Sequence, residues 1–166
     1  KTRHFGNFQR EWQMPQWNGQ KLQGEIVLVH AEQGFGDCLQ FARYLPMLAR
    51  LGAKVIVECP EELTGLISGV EGVEGVVNYG ALLPPHDLQI PMMSLAGAFN
   101  TNFNNIPAKV PYIIVPEASQ MKWRKRFSLN DERPRIGLVW KGSANHKRND
   151  WRSPGLENFD ILLKMK

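Results

Sequence analysis

Residues 25–51 read EIVLVHAEQGFGDCLQFARYLPMLARL, and no other stretch restricts the fold of this chain as strongly. The unbroken apolar run Ile26, Val27, Leu28 and Val29 suits a parallel strand covered on both faces. Gly34 and Gly36 then allow a tight turn and let a ligand approach the backbone. Beyond them Cys38, Phe41, Ala42, Leu45, Leu48 and Ala49 recur at about the helical period of 3.6. The stretch is therefore expected to fold as strand, turn and helix, with Pro46 kinking the helix or loosening its middle by removing a backbone donor.

This arrangement sets Asp37 in the first turn of the helix, at the carboxyl end of a strand, where open α/β sheets bind ligands. Asp37, Gln40 and Tyr44 lie on a second stripe, with Arg43 beside them. Two roles stay open for Asp37 at this point. An acid there can cap free amides and complement the helix dipole, or it can do proton chemistry.

The chain has 166 residues, enough for one domain with a real core. With 43% hydrophobic and 22% charged residues its composition is that of an ordinary globular protein. No apolar run reaches the length of a membrane span, no signal-peptide pattern opens the chain, and a cytoplasmic setting is expected. The first residue is Lys, so the chain is expected to begin inside a longer protein. Cys38 and Cys59 make no disulfide framework and read as small core residues, with a reactive thiol pair as the alternative. The net charge of +4 comes largely from clusters at 122–126 and 141–152. Such clusters suit a diphosphate or plain solvation. Nucleic acid is not expected as a partner, because no nucleic-acid motif accompanies them.

Residues 1–24 read as a polar and aromatic lead-in that packs on the domain, with Phe5, Phe8, Trp12 and Trp17 irregularly spaced. A Rossmann-like α/β domain is expected over residues 25–130. Its further strands are expected at Ala53–Cys59, around Val76 and Val77, at Asp87–Ile90 and at Tyr112–Val115. Its further helices are expected from Pro60 to about Ile67, at Ser94–Phe99 and at Ala118–Leu129. The linker Asn130–Pro134 marks the best boundary. In residues 131–166 the pattern restarts, with Arg135–Trp140 (RIGLVW) as a buried strand and Pro154–Lys166 as a helix capped by Ser153. One strand and one helix make no domain, so a truncated second domain is expected to pack back on the first or to self-associate.

The run HAEQGFGDCLQFARYLPML, preceded by WNGQKLQG and followed by PAKVPYI and RIGLVWKGS…RSPGLENF, resembles the glycosyltransferase region of bacterial tetratricopeptide-repeat proteins. That region is related to the heptosyltransferases, which have the two-domain GT-B fold. The likeness runs from about Trp12 to Leu163, without the upstream repeats. It implies an amino-terminal acceptor domain and a carboxyl-terminal donor domain, and an inverting, metal-free transfer with no cofactor beyond a nucleotide-sugar co-substrate. It implies that Asp37 is the catalytic base, taking a proton from an acceptor hydroxyl of a protein or glycan. It matches Lys141, Gly142 and Ser143 to the donor-phosphate loop. Arg152, seven residues before Phe159, stands where that family carries a functional Lys, and Arg can face a diphosphate bidentately.

Gln33, Gly34, Gly36, Gln40 and Arg43 are candidate acceptor contacts, their alternative being ordinary polar residues at a helix start. His146 and Ser153 complete the candidate donor set. His30 is expected as a hydrogen-bonded core residue and His86 as exposed. No metal-ligand spacing occurs. The turn is not a full dinucleotide fingerprint, and Glu58 is the only acid at the second strand's end, so a nicotinamide dehydrogenase is a weak competitor. The two readings carried forward are a transferase, inactive as this stretch alone, and a non-catalytic ligand- or protein-binding module on the same fold.

Overall fold

The computed structural model describes residues 10–127, 136–142 and 148–163. Four strands, β1 (Ile26–His30), β2 (Lys54–Cys59), β3 (Val73–Asn78) and β4 (Leu88–Pro91), form one sheet in the order β3-β2-β1-β4. Every pairing is parallel. The chain steps outward from β1 to β3, then crosses back to place β4 on the other side of β1. The switch point thus lies between β1 and β4.

Parallel partners point to the same face, so the register sorts the side chains. Val27 pairs with Val55 and Leu88, and Val29 with Val57 and Ile90. These residues share one core with Leu45 and Leu48. Both leucines are fully buried, so trimming either to Ala is worth about 2–5 kcal/mol. The other face carries Leu28, His30, Ile56 and Glu58.

The helix after β1 is broken, as Pro46 requires. α1 (Phe35–Phe41) gives way to a 3-10 turn at Ala42–Tyr44, and α2 (Leu45–Arg50) restarts with Pro46 in its first turn. There the missing N–H lacks a helical partner anyway. A 3-10 turn at Glu61–Leu63 and α3 (Thr64–Ile67) link β2 to β3. A 3-10 turn at Met92–Ser94 and α4 (Leu95–Ala98) follow β4. Among the described residues, then, four of the expected strands form a Rossmann-like α/β sheet with flanking helices.

The described part of the lead-in, from Arg10 on, packs on the sheet. Gln16 makes an isolated parallel bridge to Gln89, with the Trp17 amide donating to the Gln89 carbonyl and the Gln89 amide to the Pro15 carbonyl. Trp17 is fully buried, and its ring lies 5.3 Å from that of Phe99. Phe5 and Phe8 lie outside the described residues.

Not every expected element forms. Tyr112–Val115 is irregular chain, not a strand. Pro111 and Pro116 cannot donate to a ladder, and Tyr112 and Ile113 pack on the core edge instead. The basic helix α5 spans Glu117–Arg126, ends before Leu129 and buries no residue. Residues 136–140 of RIGLVW form no strand, and Ile136 and Val139 are 65% and 95% exposed. No described strand of that region pairs with them, and a single strand leaves its backbone groups unmet.

The chain divides into two compact units between Phe127 and Ser128. In the second, α6 (Asn149–Arg152) precedes a 3-10 turn at Leu156–Phe159 and α7 (Asp160–Leu163). The expected single helix from Pro154 is thus two short pieces, and its cap position falls on the extended Gly155 rather than on Ser153. Ser153 instead closes α6. The linker Asn130–Pro134 and residues 164–166 lie outside the described residues.

Candidate functional site

The turn that leaves β1 carries Gln33, Gly34, Gly36 and Asp37 together. Gly34 occupies the cap position of α1 with extended backbone (φ −66°, ψ 171°), which puts Asp37 at the third helical residue. The carboxylate folds back over the turn, since a Cβ built on Gly34 would lie 3.8 Å from Asp37 Oδ2. A Cβ at Gly36 would meet nothing within 4 Å, so the backbone there is open to approach. Asp37 is half-buried, and among the described residues its carboxylate has no hydrogen-bond or ion-pair partner. The side-chain capping bond is therefore not made, and the structural role left to Asp37 is that of an acid complementing the dipole in the first turn of α1. A second acid, Glu32, starts the same turn. Desolvation at the sheet edge holds its carboxyl above the ordinary 4.5, while a backbone hydrogen bond at Met93 pulls it the other way.

Gln40 is exposed on α1. Arg43 reaches away from the turn. Its Nε donates to the Gln40 carbonyl, Nη1 to the Pro107 carbonyl at 3.2 Å and Nη2 to the Tyr112 hydroxyl at 3.2 Å, with the guanidinium 4.8 Å from the Tyr112 ring centre. All three acceptors are neutral, and the two at Pro107 and Tyr112 tie Arg43 to the 105–112 loop. It borders a cleft of about 330 Å³ between α2 and that loop, together with Arg50, Glu71 and Lys109. Glu71 meets Lys109 at 2.7 Å and Arg50 at 3.3 Å. The Lys109 ammonium, first by hydrogen bond and then by charge, holds the Glu71 carboxyl below its usual range. The cleft does not include Asp37.

Sequence reasoning missed a polar cluster on the sheet face that carries Leu28 and Ile56. His30 and Glu58 are register partners at the carboxyl ends of β1 and β2. His30 Nε2 lies 2.9 Å from Gln89 Oε1 on β4 and, with the amide oxygen facing it, donates. Arg10 grips Glu58 bidentately, with both hydrogen bonds at 2.9 Å. Trp12 stacks on His30 with ring centres 4.3 Å apart, and the Arg10 guanidinium sits 4.9 Å from the Trp12 ring centre. Burial drives the His30 imidazole below its ordinary 6.5, against the raising effects of the Gln89 bond and the Glu58 charge. His30 is thus the hydrogen-bonded core residue expected. His86 is half-buried rather than exposed, because its ring meets the edge of Trp12 at 6.4 Å and its Nδ1 faces the Pro84 carbonyl. The only sequence sign of this cluster was an acid and a histidine inside apolar strands.

Cys38 and Cys59 are both buried and unbridged. Desolvation pushes their thiols up to about 12 and about 11, so they behave as small core residues rather than as a reactive pair. Tyr79 donates to the Ala31 carbonyl at 2.8 Å, tying the end of β3 to the turn after β1.

In the second unit, the Gly142 amide donates to Ser153 Oγ at 3.0 Å, and Ser153 Oγ donates to Asn149 Oδ1 at 2.8 Å. Gly142 and Ser153 are thereby brought together, and Lys141 beside them is exposed. Ser143 and His146 lie outside the described residues, as does the side chain of Arg152. Among the described residues no group of three or more His, Cys, Asp or Glu could hold a metal ion. No described helix is long and apolar enough to cross a membrane. No protein-family model, curated protein or solved structure matches this chain.

Proposed function

We propose that this chain supplies the acceptor side and the start of the donor side of a GT-B glycosyltransferase, transferring a sugar from a nucleotide-sugar to an acceptor hydroxyl with inversion and without a metal. The observation that carries this reading is Asp37, a carboxylate with no partner among the described residues, in the first turn of the helix that follows β1 and on a glycine-bearing turn open to approach. As a base, Asp37 takes the proton of the acceptor hydroxyl while that oxygen attacks the anomeric carbon. The bond to the diphosphate breaks in the same displacement. Cations and backbone amides must then receive the departing charge, and Lys141, Gly142 and Arg152 are the residues assigned to it.

The test is Asp37→Asn in the full-length protein, assayed against a panel of nucleotide-sugars. Turnover is expected to fall by about 10²–10⁴-fold with donor binding retained. Full retained turnover ends the catalytic reading. A binding module is the second reading, favoured by one observation: the polar cluster beside the switch point is already filled by Arg10 and Trp12. A well-folded full-length protein that no nucleoside diphosphate or nucleotide-sugar stabilises thermally would decide for it.

A further inference from the structure

A parallel sheet covered on both faces is normally apolar throughout. Here three adjacent strands each place a polar side chain on one face: Glu58 from β2, His30 from β1 and Gln89 from β4. All three are buried. They cluster near the carboxyl ends of β1 and β4, beside the switch point where such sheets hold ligands. Stability does not account for this. A buried ion pair contributes little over apolar residues of similar volume.

The partners that satisfy this floor come from far away in sequence. Arg10, 48 residues from Glu58, presents two parallel N–H donors to the carboxylate, and its own side chain is 31% exposed while that of Glu58 is 6% exposed. Trp12 lays a flat ring on His30 at 25° between planes. A donor fork with an aromatic plane beside it is what the floor holds, and a peripheral segment supplies both.

We propose that Glu58, His30 and Gln89 form a receptor for a planar fork of N–H donors, a guanidinium or amidinium group next to an aromatic ring, which Arg10 and Trp12 fill as built-in occupants. Glu58 supplies the paired acceptor oxygens, His30 the stacking surface, and Gln89 fixes the His30 ring by its hydrogen bond. An incoming ligand competes with the Arg10 and Trp12 side chains alone, while buried Trp17 and the Gln16–Gln89 bridge stay in place, so affinity in the wild type is reduced by the fraction of time those two side chains are away. The site involves no part of the Asp37 turn, and it stands or falls independently of the transferase reading.

Benzamidine carries both chemical elements and is the probe. Titrated by calorimetry against the full chain, it is expected to bind Arg10→Ala/Trp12→Ala at least about tenfold more tightly than wild type. Adding Glu58→Gln to that variant is expected to abolish the gain, since it removes one charged acceptor of the fork. Guanidinium chloride and benzene-ring amides lacking the fork, run alongside, separate recognition of the fork from recognition of the ring. A double variant with a wild-type far-UV spectrum and no tighter binding overturns the proposal, as does binding that Glu58→Gln leaves unchanged. If the double variant does not fold, Arg10→Gln vacates the fork position with Trp12 left on His30, and guanidinium chloride at millimolar concentration, which needs no stacking surface, replaces benzamidine as the probe, with the same two outcomes decisive.

Discussion

The Arg10–Glu58 pair gives a double-mutant cycle whose asymmetry follows from exposure. The carboxylate is 6% exposed and the guanidinium 31%, and the two hydrogen bonds are both 2.9 Å. Arg10→Ala strands a buried carboxylate. Breaking a fully buried pair this way costs about 3–5 kcal/mol, and the partial exposure of Arg10 brings the expected loss to about 2–3 kcal/mol. Glu58→Gln strands instead a cation that water already reaches, and the new amide keeps one acceptor, so about 1 kcal/mol is expected. With the carboxylate gone, Arg10→Ala has little left to remove. The double variant should therefore fall short of the sum of the singles by about 1 kcal/mol or more. Urea unfolding followed by far-UV circular dichroism measures each term. In a thermal scan the first unit should lose about 8–12 °C for Arg10→Ala and about 4 °C for Glu58→Gln. Equal losses, a larger loss for Glu58→Gln, or strict additivity would refute the account of Glu58 as a desolvated charge held by Arg10.

Two further outcomes are expected. His30 is held below its ordinary 6.5 by burial, so the unfolded chain binds the extra proton first. Its contribution to stability is complete above pH 6.5 and is lost as the pH falls from there to the lowered folded value. The midpoint in urea should thus drop between pH 7.5 and 5.5, and His30→Gln should flatten that dependence; an unchanged slope would count against burial as the cause. Cys38 and Cys59, with thiols pushed up to about 12 and about 11, should react with a thiol reagent at pH 8 only as fast as the first unit opens. Labelling that urea below the unfolding transition does not accelerate would contradict their placement.

The first four strands were legible because each is a short apolar or β-branched run with turn residues on both sides. The ends of β1, β2 and β4 fall within a residue of the expectation, and β3 contains the expected Val76–Val77 pair. Pro46 was equally legible, being a local matter of one missing donor. Tyr112–Val115 and RIGLVW look just as strand-like by residue type. A strand, however, is defined by the chain beside it, and that partner is a non-local fact. The placement of Asp37 could be read because strand, glycine and helix start follow one another directly. The Arg10–Glu58 grip could not, since nothing in a polar lead-in announces which acid its arginine will find. His86 was misjudged for the same reason, its cover coming from Trp12.

The bridge between Gln16 and β4 changes what counts as the edge of this domain. Judged by regular structure, the sheet starts at Ile26, and a protein engineer would cut just ahead of it. Such a cut would free the Gln89 amide and carbonyl, leave β4 as an open template for another chain, and empty the space that Trp17 fills. It would also remove the only cation paired with the Glu58 carboxylate among the described residues. Residues 10–17 are therefore an integral wall of the domain, and a version of this fold that keeps these contacts begins no later than Arg10.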